Sequence, residues 1–94
     1  MTDEPAVWRR SPDVAVVDGD TRVVVLGLAD PATARPLVME GPAAAIWHAL
    51  QDPGTTAQVI ERVAGDFGLP ATEVEADVTA FIVELRRRRL VLAG

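Results

Sequence analysis

No cysteine and no lysine occur among the 94 residues of this chain. The absence of cysteine removes disulfides, thiolate metal ligands and a cysteine nucleophile together, and it suits the cytoplasm, the location expected here. With no lysine, the nine basic side chains are all arginine; beside many Ala and Val, this points to a GC-rich genome and says nothing of function. No apolar run approaches the ~18–20 residues of a membrane span, so no membrane partner is expected. The opening MTDEPAVWRR is acidic and has no apolar core, so it is not read as a signal peptide. A phosphate-binding glycine loop, a Ser-His-Asp set and an HExxH motif are all missing. No cofactor and no metal are expected, and an enzyme ranks last among the functional classes.

What is present fits one small globular domain. The chain is 49% apolar with seven Gly and seven Pro, and its net charge is −5. A domain of this size buries roughly 60–65% of its unfolded surface, enough for one core and too little for a deep enzymatic cleft. The acidic balance disfavours nucleic acid, which needs several phosphate-neutralising groups on one face.

The central stretch is EGPAAAIWHAL, from Glu40 to Leu50. Gly41 and Pro42 stop whatever precedes them, and proline suits the first turn of a helix. Ala43, Ile46, Trp47 and Leu50 then recur at i, i+3, i+4 and i+7, one helical face, with Trp47 as the plug of the core. Ahead of it, residues 1–13 read as an N-terminal arm. Trp8 within the arm is either a tether to the body or part of a short strand. Val14–Val17 and Arg22–Leu28 flank Asp18-Gly19-Asp20, a hairpin signal in which Gly19 would supply a positive φ. Gly27 is a candidate bulge. Ala29–Arg35 is a loop with Pro31. Pro36–Glu40 is a third strand, with Leu37 and Met39 on one side and Val38 and Glu40 on the other.

Two further helices follow. Thr55-Thr56-Ala57-Gln58 matches a capping box, Val59, Ile60, Val63, Ala64 and Phe67 line one face, and Gly68 ends that helix. Thr72-Glu73-Val74-Glu75 reads as a second capping box. Val74, Val78, Phe81, Ile82 and Leu85 form the stripe of the last helix, and Leu90–Leu92 is an apolar tail that either pairs as a short strand or simply packs. The fold class is therefore α+β, winged helix-turn-helix-like, with a three-stranded antiparallel sheet followed by three helices.

Candidate chemistry is sparse. His48 is the sole histidine and has no partner at ligand spacing, so it reads as a surface or boundary residue. Glu73, Glu75, Asp77 and Glu84 make the last helix acidic outside its stripe. A solvated face explains them, and a contact for a basic or hydrogen-bonding partner is the alternative. Arg86–Arg89 complements a helix C-terminus, and four successive residues point around the helix instead of along one face. The third strand also offers an edge for an extended peptide to add as a strand.

The strand-helix order, the apolar Met39 eight residues before Trp47, the Ala45-Ile46-Trp47 core with Leu50, and Asp77-Val78-x-x-Phe81-Ile82-x-x-Leu85 resemble the PqqD-like proteins. These are recognition elements for ribosomally made, modified peptides, including small standalone proteins of lasso-peptide and radical-SAM pathways. The resemblance covers about residues 14–92, within a domain set at 14–94. It departs at Ala43, where the family often has glycine, and in the loop 29–35, which is longer than in many members. It implies a non-catalytic adaptor that binds the leader of a precursor peptide and presents it to a modifying enzyme or leader peptidase. The leader would add to Pro36, Leu37, Val38, Met39 and Glu40 and lie toward Val74, Asp77, Val78 and Phe81. A homodimer through the same strand edge is a further possibility. The alternative function is a winged-helix DNA-binding or dimerisation module. The acidic start of the last helix argues against it, since a recognition helix carries basic or amide groups there.

Overall fold

The structure is a computed structural model that describes residues 5–19, 21–28 and 35–94. Six strands and three helices follow one another: β1 (Val7–Arg10), β2 (Val14–Asp18), β3 (Arg22–Gly27), β4 (Leu37–Glu40), α1 (Pro42–Ala49), β5 (Gly54–Thr55), α2 (Thr56–Phe67), α3 (Ala71–Arg87) and β6 (Val91–Ala93). The strands form two antiparallel sheets, ordered β2-β3-β4 and β5-β1-β6. The first is the expected meander. Val14 pairs with Gly27 and Asp18 with Val23 in an unbroken register, so Gly27 makes no bulge. A Cβ added there would instead touch Leu90 at 3.4 Å. The hairpin forms without a positive φ at Gly19, whose N–H instead donates to the Arg22 carbonyl at 2.8 Å. Asp20 and residues 29–34 of the expected loop lie outside the described residues, as do residues 1–4 of the arm.

The second sheet corrects the reading of residues 1–13 as an arm alone. Val7–Arg10 is its central strand, pairing with Gly54–Thr55 on one side and Val91–Ala93 on the other. Trp8 is thus strand and anchor at once, its indole N–H donating to the Thr56 hydroxyl at 2.9 Å. Arg10, on the same strand, stacks its guanidinium 4.4 Å from the Trp47 ring centre and donates to the Trp47 carbonyl.

The core lies between the meander and the three helices. Trp47 is fully buried at its centre, with Val23, Val25 and Met39 from the sheet, Val59 and Val63 from α2, and Val78, Ile82 and Leu85 from α3. Strand β2 contributes only Val14 to this packing: Ala15, Val16 and Val17 are all exposed.

The helix ends show which local signals hold. Thr55 and Gln58 make the expected capping box, each side chain meeting the other's backbone N–H at 3.2 and 2.9 Å. Gly68 closes α2 in the left-handed region. The second expected box, Thr72–Glu75, is not made. Pro70 presets the backbone, α3 already begins at Ala71, and Thr72 falls inside its first turn, where a hydroxyl cannot cap it. Gly41 takes φ 57° at the junction of β4 and α1, which lets the chain reverse from strand into helix.

Candidate functional site

Alternation along β4 sorts its side chains into two sets. Met39 is 1% exposed and Leu37 half-buried, both turned toward the core, while Val38 is 52% exposed on the outer face of the sheet. Glu40 shares that outer face and holds Arg22 across the ladder at 2.9 Å. Pro36 precedes the strand and is exposed. β4 pairs with β3 on one side and, among the described residues, with nothing on the other. Its free edge therefore carries unpaired backbone donors and acceptors.

Immediately beyond Glu40, Gly41 and Pro42 turn the chain into α1, and there a cleft of about 150 Å³ opens between the three helices. Its floor is apolar: Ile46 from α1, Val63 from α2, and Val74 and Val78 from α3. Pro42, Phe67 and Leu69 wall it. Glu73 and Asp77, one turn apart on α3, line its polar side. The arrangement follows from the sequence. The stripe that buries α3 places Val74 and Val78 inward, and Glu73 and Asp77 then fall on the flank beside them.

Of the residues expected on the helix side, Val74, Asp77 and Val78 meet in this cleft. Phe81, one turn further along α3, packs partly buried against the core and does not line it. The β4 residues do not line it either; the edge and the cleft are consecutive along the chain. Met39 can offer a ligand only backbone, since its side chain is enclosed. Sequence reasoning missed Pro42, Ile46, Val63, Phe67, Leu69 and Glu73 as lining residues. Phe67 belongs by its spacing to the core stripe but is 45% exposed, and Leu69, just past the Gly68 cap, is 47% exposed. Two large apolar side chains flanking a left-handed glycine were the available signal.

Elsewhere several charged groups are engaged locally. His48 lies 3.0 Å from Asp18 on the surface. Arg87 and Arg88 both hold Glu84, and Arg86 lies 5.6 Å from the Trp8 ring centre. Burial lowers the Arg10 pKa from its usual value, and the Asp18 carboxylate partly opposes that shift. Among the described residues, no group of three or more metal-ligating side chains gathers, and no helix is long and apolar enough to cross a membrane.

A free strand edge and an apolar cleft with one acidic side thus follow one another along the chain. The chain belongs to the PqqD family: the model for coenzyme PQQ synthesis protein D matches residues 27–91. That span begins at the end of β3 and includes both β4 and the whole cleft. Among solved structures, one described as TbiB1 in complex with the TbiA(beta) leader peptide superposes with a TM-score of 0.74, covering 88% of this chain and 93% of that one. At 20% identity the two share a fold. No curated protein matches the chain in sequence.

Proposed function

We propose that this protein binds the leader segment of a ribosomally made precursor peptide and presents it to a modifying enzyme or leader peptidase, catalysing nothing itself. The observation that carries the reading is the free edge of β4, which Pro42 at the mouth of the cleft follows by two residues. An extended leader would add to Leu37–Glu40 through main-chain hydrogen bonds and continue toward Val74, Asp77 and Val78, with Phe81 further along the same helix. Affinity would come from the ladder, and choice of leader from the side chains that enter the cleft. Membership of the PqqD family and a fold shared with a protein solved in complex with a leader peptide support the same reading.

Strand addition has a signature that side-chain docking does not. In an antiparallel pair, alternate residues of the added strand direct their N–H groups to the partner. A fluorescent leader, taken from a short precursor-like reading frame beside the gene, should bind saturably at micromolar or tighter affinity by anisotropy. N-methylation at successive positions should then abolish binding at every second residue and spare the residues between. Uniform tolerance of N-methylation would rule out the ladder.

A further inference from the structure

Asp77 is not accounted for by the helix that carries it. Glu73 lies in the first turn of α3, where the helix dipole favours a carboxylate. Asp77 lies well beyond that turn, where the dipole no longer helps and aspartate is a poor helix former. Both carboxylates line a cleft whose other walls are apolar. All nine arginines are among the described residues, yet their ion pairs there go to Glu40 and Glu84, and none reaches Glu73 or Asp77. Two uncompensated negative charges, one turn apart, thus border an apolar floor at the end of a free strand edge.

We infer that the cleft selects a leader carrying a lysine or arginine anchor, whose aliphatic stem covers Ile46, Val74 and Val78 and whose charged head meets Glu73 and Asp77. This rests on the leader-binding reading and adds the chemistry of what is chosen. A long basic side chain satisfies both surfaces at once, apolar along its stem and cationic at its tip, and it alone among apolar-bodied side chains with a polar tip brings a full positive charge to the two carboxylates at neutral pH. A purely aliphatic anchor would leave the carboxylates unused. An acidic one would be repelled, as would acidic segments generally by a protein of net charge −5. Antiparallel addition to β4 would also set where the anchor stands. A peptide antiparallel to β4 passes Glu40 with its N-terminal part, and Pro42 at the cleft mouth follows Glu40 by two positions. The basic residue therefore precedes the strand-adding segment by a few residues.

The test is selection from a displayed library of random twelve-residue peptides, run on the wild-type protein and on a Glu73→Gln/Asp77→Asn double variant. Both substitutions are near-isosteric and on exposed residues, and unchanged thermal melts would confirm that the variant is folded. The wild type should enrich lysine or arginine at one position N-terminal to an alternating apolar segment, and the double variant should lose that preference while keeping the segment. An Asp77→Lys variant should select aspartate or glutamate there instead. Against the wild type, replacing the basic residue of a selected peptide by norleucine should weaken binding roughly tenfold, the scale of a charge-assisted hydrogen bond. An apolar or tyrosine consensus at that position, or the same consensus from wild type and double variant, would overturn the inference and leave leader binding standing. Enrichment of no peptide by either protein would overturn both.

Discussion

At the residue scale, three glycines make opposite demands. Gly41 combines φ 57° with ψ −127°, a region almost closed to other residues, though nothing lies within 4 Å of a Cβ placed there. Gly41→Ala is therefore a test of backbone strain alone, and it should lower stability by about 1–3 kcal/mol in urea unfolding. Gly65 is the reverse case: it sits in the interior of α2, exposed, and a methyl group added there would again meet nothing within 4 Å. Gly65→Ala should raise stability by about 0.5–1 kcal/mol in the same assay. Gly68, in the left-handed region at the end of α2, should behave like Gly41 in sign. The Thr55 cap, the Gly68 stop and the burial of Trp47 were all legible in the sequence, because each depends on residues within one turn or on a repeating stripe. The positive φ expected at Gly19 belongs instead to Gly41. Only the way the chain leaves β4 distinguishes the two, and that is a tertiary fact.

Among elements, the joint that matters most is between α1 and α2, the two helices that supply Ile46 and Val63 to the cleft floor. Arg62 on α2 makes it, donating to the carbonyls of Ala49 at 3.0 Å, Asp52 at 2.7 Å and Pro53 at 3.3 Å. It thereby satisfies orphan acceptors at the end of α1 and in the turn after it. A lysine offers a single donor head and cannot span three carbonyls with the geometry of a guanidinium fork. Arg62→Ala should cost about 1.5–3 kcal/mol, the range for bonds to a charged donor, and Arg62→Lys should recover only part of it, both read by thermal or urea melts. Gly54 packs under this arginine, a Cβ there approaching its guanidinium at 3.0 Å, so Gly54→Ala should loosen the same joint. The second sheet was disclosed by the sequence only in part: short strands at Trp8 and Leu90–Leu92 stood among its alternatives, but not their pairing with each other or with Gly54–Thr55. Its outer strands are Gly54–Thr55 and Val91–Ala93, two and three residues long, too short to show a period of two. Its central strand, Val7–Arg10, carries two arginines and reads as polar. These strands are defined by pairing across most of the chain's length, and pairing is what a local pattern cannot express.

For the whole molecule, the proposed function rests on the distribution of charge and of free backbone. Arg86–Arg89, the one dense basic run, is largely engaged within the chain by Glu84 and Trp8. The cleft that follows the free edge along the chain has an acidic side, Glu73 and Asp77. Binding of a leader should therefore weaken with salt if its anchor is basic, but only modestly, since one charge and not a polyanion is involved. The candidate site was half legible. The β4 edge follows from strand order and the inward placing of Val74 and Val78 from the α3 stripe, while Asp77 was indicated only by the resemblance to PqqD-like proteins. The walls Pro42, Phe67 and Leu69 were not legible, because they meet only where α1, the end of α2 and the start of α3 converge.

The most direct test of leader binding at this edge is a titration of ¹⁵N-labelled protein with unlabelled leader peptide, followed by backbone amide resonances. Strand addition to β4 predicts saturable changes greatest at Leu37–Glu40 and along Val74–Phe81, with slowed hydrogen exchange at alternate β4 amides. Saturable changes concentrated at Arg86–Arg89 or on β2, with β4 unmoved, would contradict it.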